Sequence, residues 1–540
     1  MFKKFPFRYL LIFLVLLSVA WISSALIHAA SGHKPYDFSL VRHAYQSITA
    51  SEAQIHVNLL ASDNLEGRET GKAGQWLAAK YIANAYLNYG LKAVGEKHRF
   101  YQNFQIELRD LQQATLTLKQ RRTTARDEIH FFIKEDFVPF DFTGENNVMA
   151  GVVFAGFGIT APELHYDDYE DIDVTGKVVL VFRHEPQEHN PKSIFRGTKL
   201  TKHAYFEEKV KNAIAHGAIG LLLVTDPAGK HDSAFPPFSW PSIKSRRSGS
   251  ERWKLQIHEK LSAFPSAWIS PECAATILAP SHRSLRDVQK NIDATLRPES
   301  FVIEDTRVCL TIKLKKEIRR TQNVVGLIEG SHPGLKNEVV VVGAHYDHIG
   351  IINGKIHNGA DDNASGTAGL LEIAEAFTEL PTRPKRSVLF IAFSAEELGL
   401  LGSEFYVKNP IFALKNTVAM INMDMIGRNT ANEVSVIGSN RSPEIHEINE
   451  RANQEIGLEL KYNGEHFFSR SDQANFAKHH IPVIFYNTGV HRDYHAAGDL
   501  SQKIDAQKLS RIASLAFLVV WQIAQDNEKP TYRPFKIHRF

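Results

Sequence analysis

Four apolar runs, each stopping abruptly on histidine or carboxylate, constrain this chain more than anything else in it. Val339 to Val342 is entirely β-branched and reads as a buried strand of a parallel sheet that ends at Gly343. His345, Asp347 and His348 follow at once. Beyond a glycine-rich loop come Asp361 and Asp362, just ahead of an amphipathic helix that starts near Ser365. Ser387 to Phe393 runs into Glu396 and Glu397, Val418 to Met423 stops on Asp424, and Ile481 to Tyr486 leads to His491, Asp493, Tyr494, His495 and Asp499. Laid side by side, these strands bring their polar ends to one pocket, because open α/β sheets place their crevice at the carboxyl ends of the strands.

Gathering that many carboxylates away from water costs several kcal/mol per unpaired ion. Arg428 and Arg492, the cations near these exits, are too few to balance them. A divalent metal is the natural counter-charge. Histidine mixed with Asp and Glu, without Cys, suits hydrolytic zinc better than structural zinc. There are more carboxylates than one tetrahedral ion needs, and two ions sharing an Asp would use them to activate a water between them.

The segments GAHYDH, NGADDNASG, FSAEELGLLGS, INMDMIGR and DYHAAGDL resemble, in order, the signatures of the co-catalytic di-zinc aminopeptidases of metallopeptidase family twenty-eight. Bacterial leucyl aminopeptidases, glutamate carboxypeptidase and the transferrin receptor ectodomain, which lacks working metals, are in that group. The resemblance implies an α/β fold, with a mostly parallel mixed sheet and helices on both faces. It implies two Zn2+ ions per chain, bridged by Asp362, with His345 and Asp424 completing one and Glu397 and His495 the other. Glu396 would be the general base that passes a proton from water to the leaving amine. Asp347 would orient His345, and Tyr494 falls where some members place a phenol facing the oxyanion.

Neighbouring residues are read more plainly. His348, His357, His479 and His480 are expected to be loop or surface histidines, Asp361 a loop cap or support, and Asp499 a brace for the His495 loop. Cys273 and Cys309 are expected to be two buried free thiols, since two cysteines make no disulfide framework.

Residues 1–30 carry Lys3, Lys4 and Arg8 before the apolar run Leu10 to Ile22, with small residues after it. This is the pattern of an export signal cleaved near Ala29 or Ala30, placing the body in the periplasm or outside the cell. The alternative is an uncleaved anchor over residues 9–27, the chain's one expected membrane contact. Residues 31–135 read as the first part of the catalytic domain, with a helix from Gln75 to Tyr89. The preceding glycine-rich loop could line the cleft. From residue 136 to 300 the chain becomes β-rich, with a helix at about Thr201 to His216. FAGFGITAPELHYDDYEDIDVTGKVVLVFR there resembles the inserted protease-associated domain of the family, and no metal-ligand set is evident in it. Residues 301–527 return to the catalytic domain, with an amphipathic strand along TRVCLTIKLK and a last helix from Asp505 or Ala506 to about Gln525. Residues 528–540 form a loose basic tail.

A formal charge of +3 and no aromatic–basic interleaving argue against a nucleic-acid partner. No HExxH, GxSxG, Walker loop or GxGxxG at a strand–helix junction occurs. The expected partner is a peptide and the expected reaction removal of its amino-terminal residue. One alternative is a carboxypeptidase for acidic carboxyl termini, for which Arg470 is the candidate anchor. The other is a non-catalytic scaffold on the same fold. Relatives of this type carry His where Gln473 stands.

Overall fold

The computed structural model describes residues 37–120, 128–140, 142–197, 199–227, 253–256 and 263–533. The targeting segment at 1–30 and residues 534–540 of the basic tail lie outside the described residues. No helix among the described residues is long and apolar enough to cross a membrane.

In chain order, the strands that carry the argument are β1 (Tyr101–Gln120), β2 (Phe137–Pro139), β3 (Asn146–Ala155), β4 (Val178–Phe182), β5 (Gly220–Val224), β6 (Ser266–Ile269) and β7 (Ser300–Ile328). They continue with β8 (Val339–His345), β9 (Ser387–Phe393), β10 (Thr417–Met423), β11 (Glu433–Ile437), β12 (Glu459–Lys461) and β13 (Val483–Asn487). All lie in one continuous sheet ordered β12-β11-β13-β10-β8-β9-β7-β3-β4-β5-β6-β2, with β1 alongside β7. The helices named below are α1 (Ala50–Leu60), α2 (Ala73–Asn88), α3 (Phe206–Ala215), α4 (Leu285–Thr295), α5 (Gly366–Thr378), α6 (Leu401–Lys408), α7 (Pro443–Ile456) and α8 (Ala506–Gln525).

Strands β9, β8, β10 and β13 are parallel neighbours. Val339 to Val342 on β8 are fully buried, each contributing roughly 1.5–3 kcal/mol by leaving water. Such strands cannot be joined by hairpins, so helices cross over between them, α5 from β8 to β9 and α6 from β9 to β10. Leu370, Leu371, Ala374 and Phe377 of α5 face the core, where Phe377 meets Phe517 of α8 at 4.7 Å between ring centres. The chain passes from β8 to β9 on one side and then to β10 on the other, so the order reverses at β8. Polar groups leaving such strands face a crevice rather than a neighbouring connection.

The second parallel set, β3-β4-β5-β6, lies beyond β7. No break separates the two sets at residue 300. The single strand β7 pairs with β3 over Ser300 to Ile312 and with β9 over Val324 to Ile328, while β1 runs beside it. The amphipathic stretch expected along TRVCLTIKLK is the middle of this 29-residue strand. The helix expected from about Thr201 to His216 is shorter, because Tyr205 is extended and α3 starts at Phe206. Both cysteines are free, but only Cys273 is buried; Cys309 is partly exposed on β7, contrary to the expectation for the pair.

Candidate metal centre

His345 ends β8, Asp362 lies between β8 and α5, Glu396 and Glu397 follow β9, Asp424 follows β10, and His495 lies beyond β13. The fold brings all six together. His345 Nε2 stands 3.3 Å from both Asp362 Oδ1 and Asp424 Oδ1, and 4.0 Å from Glu396 Oε2. On the other side of Asp362, His495 Nε2 lies 3.1 Å from Asp362 Oδ2 and 3.0 Å from Glu397 Oε2. The two oxygens of Asp362 thus face two separate donor groups. His495 is the exposed member, its side chain 37% accessible, whereas the carboxylates are within a tenth of full burial.

The loop carrying Asp362 is held rigidly. Its Asp362–Asn363 peptide is cis. Asp499 Oδ2 accepts the backbone N–H groups of Asp361 (2.9 Å) and Asp362 (3.1 Å). Asp499 therefore braces the Asp362 loop, where the sequence suggested the His495 loop. Asp361 Oδ1 accepts from the Gly427 amide at 2.7 Å, tying the same loop to the exit of β10. Gly359 has φ 56°, and a Cβ there would collide with the Asp362 carbonyl and the His348 ring.

Asp347 is fully buried, but the nearer group to His345 Nδ1 is its backbone carbonyl at 3.2 Å, with the carboxylate at 3.9 Å. The carboxylate instead accepts from Thr70 Oγ1 (2.8 Å) and from the Glu396 amide (3.1 Å). It thereby links β8, the exit of β9 and the amino-terminal segment. Tyr494 lines the cleft, its ring stacked on His495 at 4.0 Å.

Three residues escaped the sequence reading. His348, expected at the surface, is buried with Nδ1 2.8 Å from Glu397 Oε1 and 3.9 Å from Asp362 Oδ2. Its position three residues after His345 at a strand exit was the available signal. Arg68 is fully buried behind the site and donates to the backbone carbonyls of Tyr346, Leu60, Asn358 and Gly359. The Arg68 and Thr70 stretch supports the site from behind, and the cleft is lined by other residues. Asp472 is buried, and neither of its carboxylate oxygens has a hydrogen-bond partner. Gln473 points away from the cleft, donating to the Phe468 carbonyl and accepting from Asn422 at the end of β10. Arg470 does line the cleft, beside Phe467.

The electrostatics mark an excess of negative charge. Burial opposes protonation of His345, yet Glu396, Asp424 and Asp362 hold it well above the ordinary imidazole value. His495 is likewise raised, to about 10, because hydrogen bonds to Asp362 and Glu397 outweigh burial. Burial, reinforced by Asp424, Glu397 and Asp472 against the pull of His345, pushes Glu396 well above the carboxylate range. Burial raises Asp472 to about 7. Side chains fit a metal when their donors converge, are of the right chemistry and lack other partners. Here nitrogen and carboxylate oxygens form two sets, His345 with Asp362 and Asp424, and His348 with Asp362 and Glu397, each within 4.8 Å. Asp472, outside both sets, adds a further buried carboxylate beside them. The donor set fits divalent cations.

Residues 323–520 match the model of Peptidase family M28, and residues 148–272 match that of the PA domain. The M28 match thus covers the strands and loops that carry the donor groups, and the PA match lies ahead of it. The M28 residues hold every member of the donor groups described above. Similar proteins include Aminopeptidase YwaD of Bacillus subtilis, 31% identical over 237 residues, which are 41% of this chain and 49% of that one. Aminopeptidase NAALADL1 of Mus musculus is 28% identical over 298 residues, 46% of this chain and 39% of its own. Leucine aminopeptidase 2 of Trichophyton equinum is 34% identical over 184 residues, 32% and 35% of the two chains. The matches thus span about half or less of these relatives. Among solved structures, the aminopeptidase from Aneurinibacillus sp. strain AM-1 aligns over 92% of this chain and 98% of its own, at 21% identity and a TM-score of 0.46.

Proposed function

We propose that this M28 protein is an exported zinc exopeptidase that removes amino-terminal residues from peptides. The observation that carries the reading is Asp362, whose two carboxylate oxygens face separate sets of imidazole and carboxylate donors. His345, Asp362 and Asp424 would hold one zinc ion, and Asp362, Glu397 and His495 the other, with His348 close enough to compete with His495 for the second position. When bound, two such ions lower the pKa of a water and polarise the scissile carbonyl.

The chain's own groups do the rest. Glu396 takes the water's proton and delivers it to the leaving amine. Asp347 positions Glu396 by fixing its amide and His345 by its carbonyl. The phenol of Tyr494 borders the cleft where charge develops on the carbonyl oxygen. An acidic floor made of Asp362, Glu396, Glu397 and Asp424 suits the free ammonium of an amino terminus, and the names of the relatives agree.

A second reading, trimming of acidic carboxyl termini, rests on Arg470 at the cleft wall. Peptides with free or acetylated amino termini and free or amidated carboxyl termini separate the two. Acetylation is expected to abolish hydrolysis while amidation leaves it intact; the reverse would establish the carboxypeptidase. Absence of hydrolysis across the panel with zinc restored would leave the scaffold. Export follows from the basic and apolar pattern of residues 1–30, and the intact mass of the protein recovered outside the cytoplasm should lack roughly that segment.

A further inference from the structure

The PA half repeats the strand-exit pattern of the peptidase half. Strands β4 and β5 are parallel, with Phe182 beside Val224, and each is followed two residues later by a metal-ligand type, His184 after one and Asp226 after the other. Both are buried. His184 Nδ1 lies 2.6 Å from Asp226 Oδ1 and 3.3 Å from Glu188 Oε2. These three donors lie within 4.8 Å of one another, the spacing found in the two sets around Asp362. The sequence suggested no ligand set in this domain. The structure corrects that, because Asp226 is brought from the exit of β5 to His184 and Glu188, which share the connection after β4.

Two observations separate this cluster from an ordinary buried ion pair. Glu188 Oε2 is buried, on a side chain only 10% accessible, and has no hydrogen-bond partner although it points at the pair. It approaches His184 Nδ1 at 3.3 Å, but that nitrogen already meets Asp226 at 2.6 Å, so Glu188 keeps a desolvation cost that a cation would relieve. Beside it lies a cavity of about 330 Å³ lined by Glu188, Asp226, Gln289 and Asp293, the last two from α4. Gln289 Nε2 stands 3.4 Å from Asp226 Oδ2, and Asp293 accepts the Gln187 amide at 2.7 Å, so α4 fixes the far wall. The buried cation Lys209 of α3 turns its Nζ to the carbonyls of Phe157 and His184.

We infer that His184, Glu188 and Asp226 form a divalent-cation site of the PA domain, separate from the peptidase centre, with open positions toward the cavity. One imidazole nitrogen and two carboxylate oxygens, with no sulfur, favour zinc or manganese over calcium or magnesium, which prefer all-oxygen sets. Tetrahedral zinc with bonds of about 2.1 Å would separate its donors by about 3.4 Å. The His184–Glu188 separation already matches. The His184–Asp226 pair is at hydrogen-bond length, so a cation would displace the proton between them and spread the pair slightly. The ion would join the exits of two strands to the loop at Glu188.

The test is elemental analysis of the full chain, stripped with chelator and dialysed against micromolar Zn2+. Glu188→Gln removes a ligand without breaking a hydrogen bond, and Asp226→Asn removes another. Each variant is expected to hold one zinc per chain fewer than the wild type. The difference is the readout, so the result stands however many ions the peptidase centre takes. Equal zinc in the wild type and in folded Glu188→Gln would overturn the site and leave an imidazolium–carboxylate pair. Should either variant fail to fold, the Asp362→Ala chain with His184, Glu188 and Asp226 intact supplies a second reading. Added Zn2+ should raise its melting temperature and protect the β4 and β5 amides from exchange, and no protection at those strands would also overturn the site.

Discussion

The two halves of the sheet use the same device and differ in what converges on it. In each, buried parallel strands end in imidazole or carboxylate. In the peptidase half the strand order reverses at β8, so exits of β8, β9, β10 and β13 meet across one crevice. In the PA half β3, β4, β5 and β6 follow one another without reversal, and the adjacent exits of β4 and β5 bring His184 and Asp226 together, with Glu188 folding back over them. Topology thus decides how many ligands a crevice collects. Six side chains, Asp362 among them, converge in the peptidase half, whereas three, His184, Glu188 and Asp226, converge in the PA half.

Four experiments test that contrast. The largest effect is expected for Asp362→Ala, which should release zinc from both sets of the peptidase half and bring hydrolysis to background. Zinc retained there, measured per chain, would show that the ions do not share this residue. Glu396→Gln comes next, with zinc kept and turnover reduced about a thousandfold. A variant that turns over normally would remove Glu396 from the chemistry. Asp347→Asn should lower activity about ten- to a hundredfold, since the Thr70 and Glu396 contacts that carboxylate makes are positional. Its effect on kcat rather than KM distinguishes misplacement of Glu396 from loss of substrate binding.

The smallest effect concerns the PA half and its pH dependence. Burial lowers Lys209 from 10.5 to about 7, against the pull of Asp168, Asp226 and Glu185. Between about pH 7 and 10.5 the unfolded chain holds a proton that the native chain does not, so this group makes stability rise with pH in that window. Lys209→Met should lose that rise, at a roughly constant cost of about 1–3 kcal/mol for the carbonyls of Phe157 and His184 left without a donor. Amide exchange on β4 and β5 reads it; identical slopes in variant and wild type would exclude Lys209 as the source.

Much of the fold was legible because apolar runs in parallel strands carry their own boundaries. Ser387 to Phe393 appears as β9 residue for residue, and α8 spans Ala506–Gln525, matching the helix expected from Asp505 or Ala506 to about Gln525. Elements that depend on partners were less visible. The strand β7 looks amphipathic only in its middle, since it leaves one hydrophobic cluster for another along its length. His348 and His357 share composition and neighbourhood, yet both are buried where the sequence suggested exposure, and His348 alone meets Glu397.

From its own order of residues, the chain determined which strands are buried on both faces and which residues stand at their ends, because periodicity and burial are local properties of a segment. Only the tertiary structure decided which ends meet. The buried Arg68, the amides held by Asp499 and the meeting of His184 with Asp226 join positions far apart in the chain. Those contacts exist because the order of strands across the sheet, which no single segment encodes, sets which exits share a crevice.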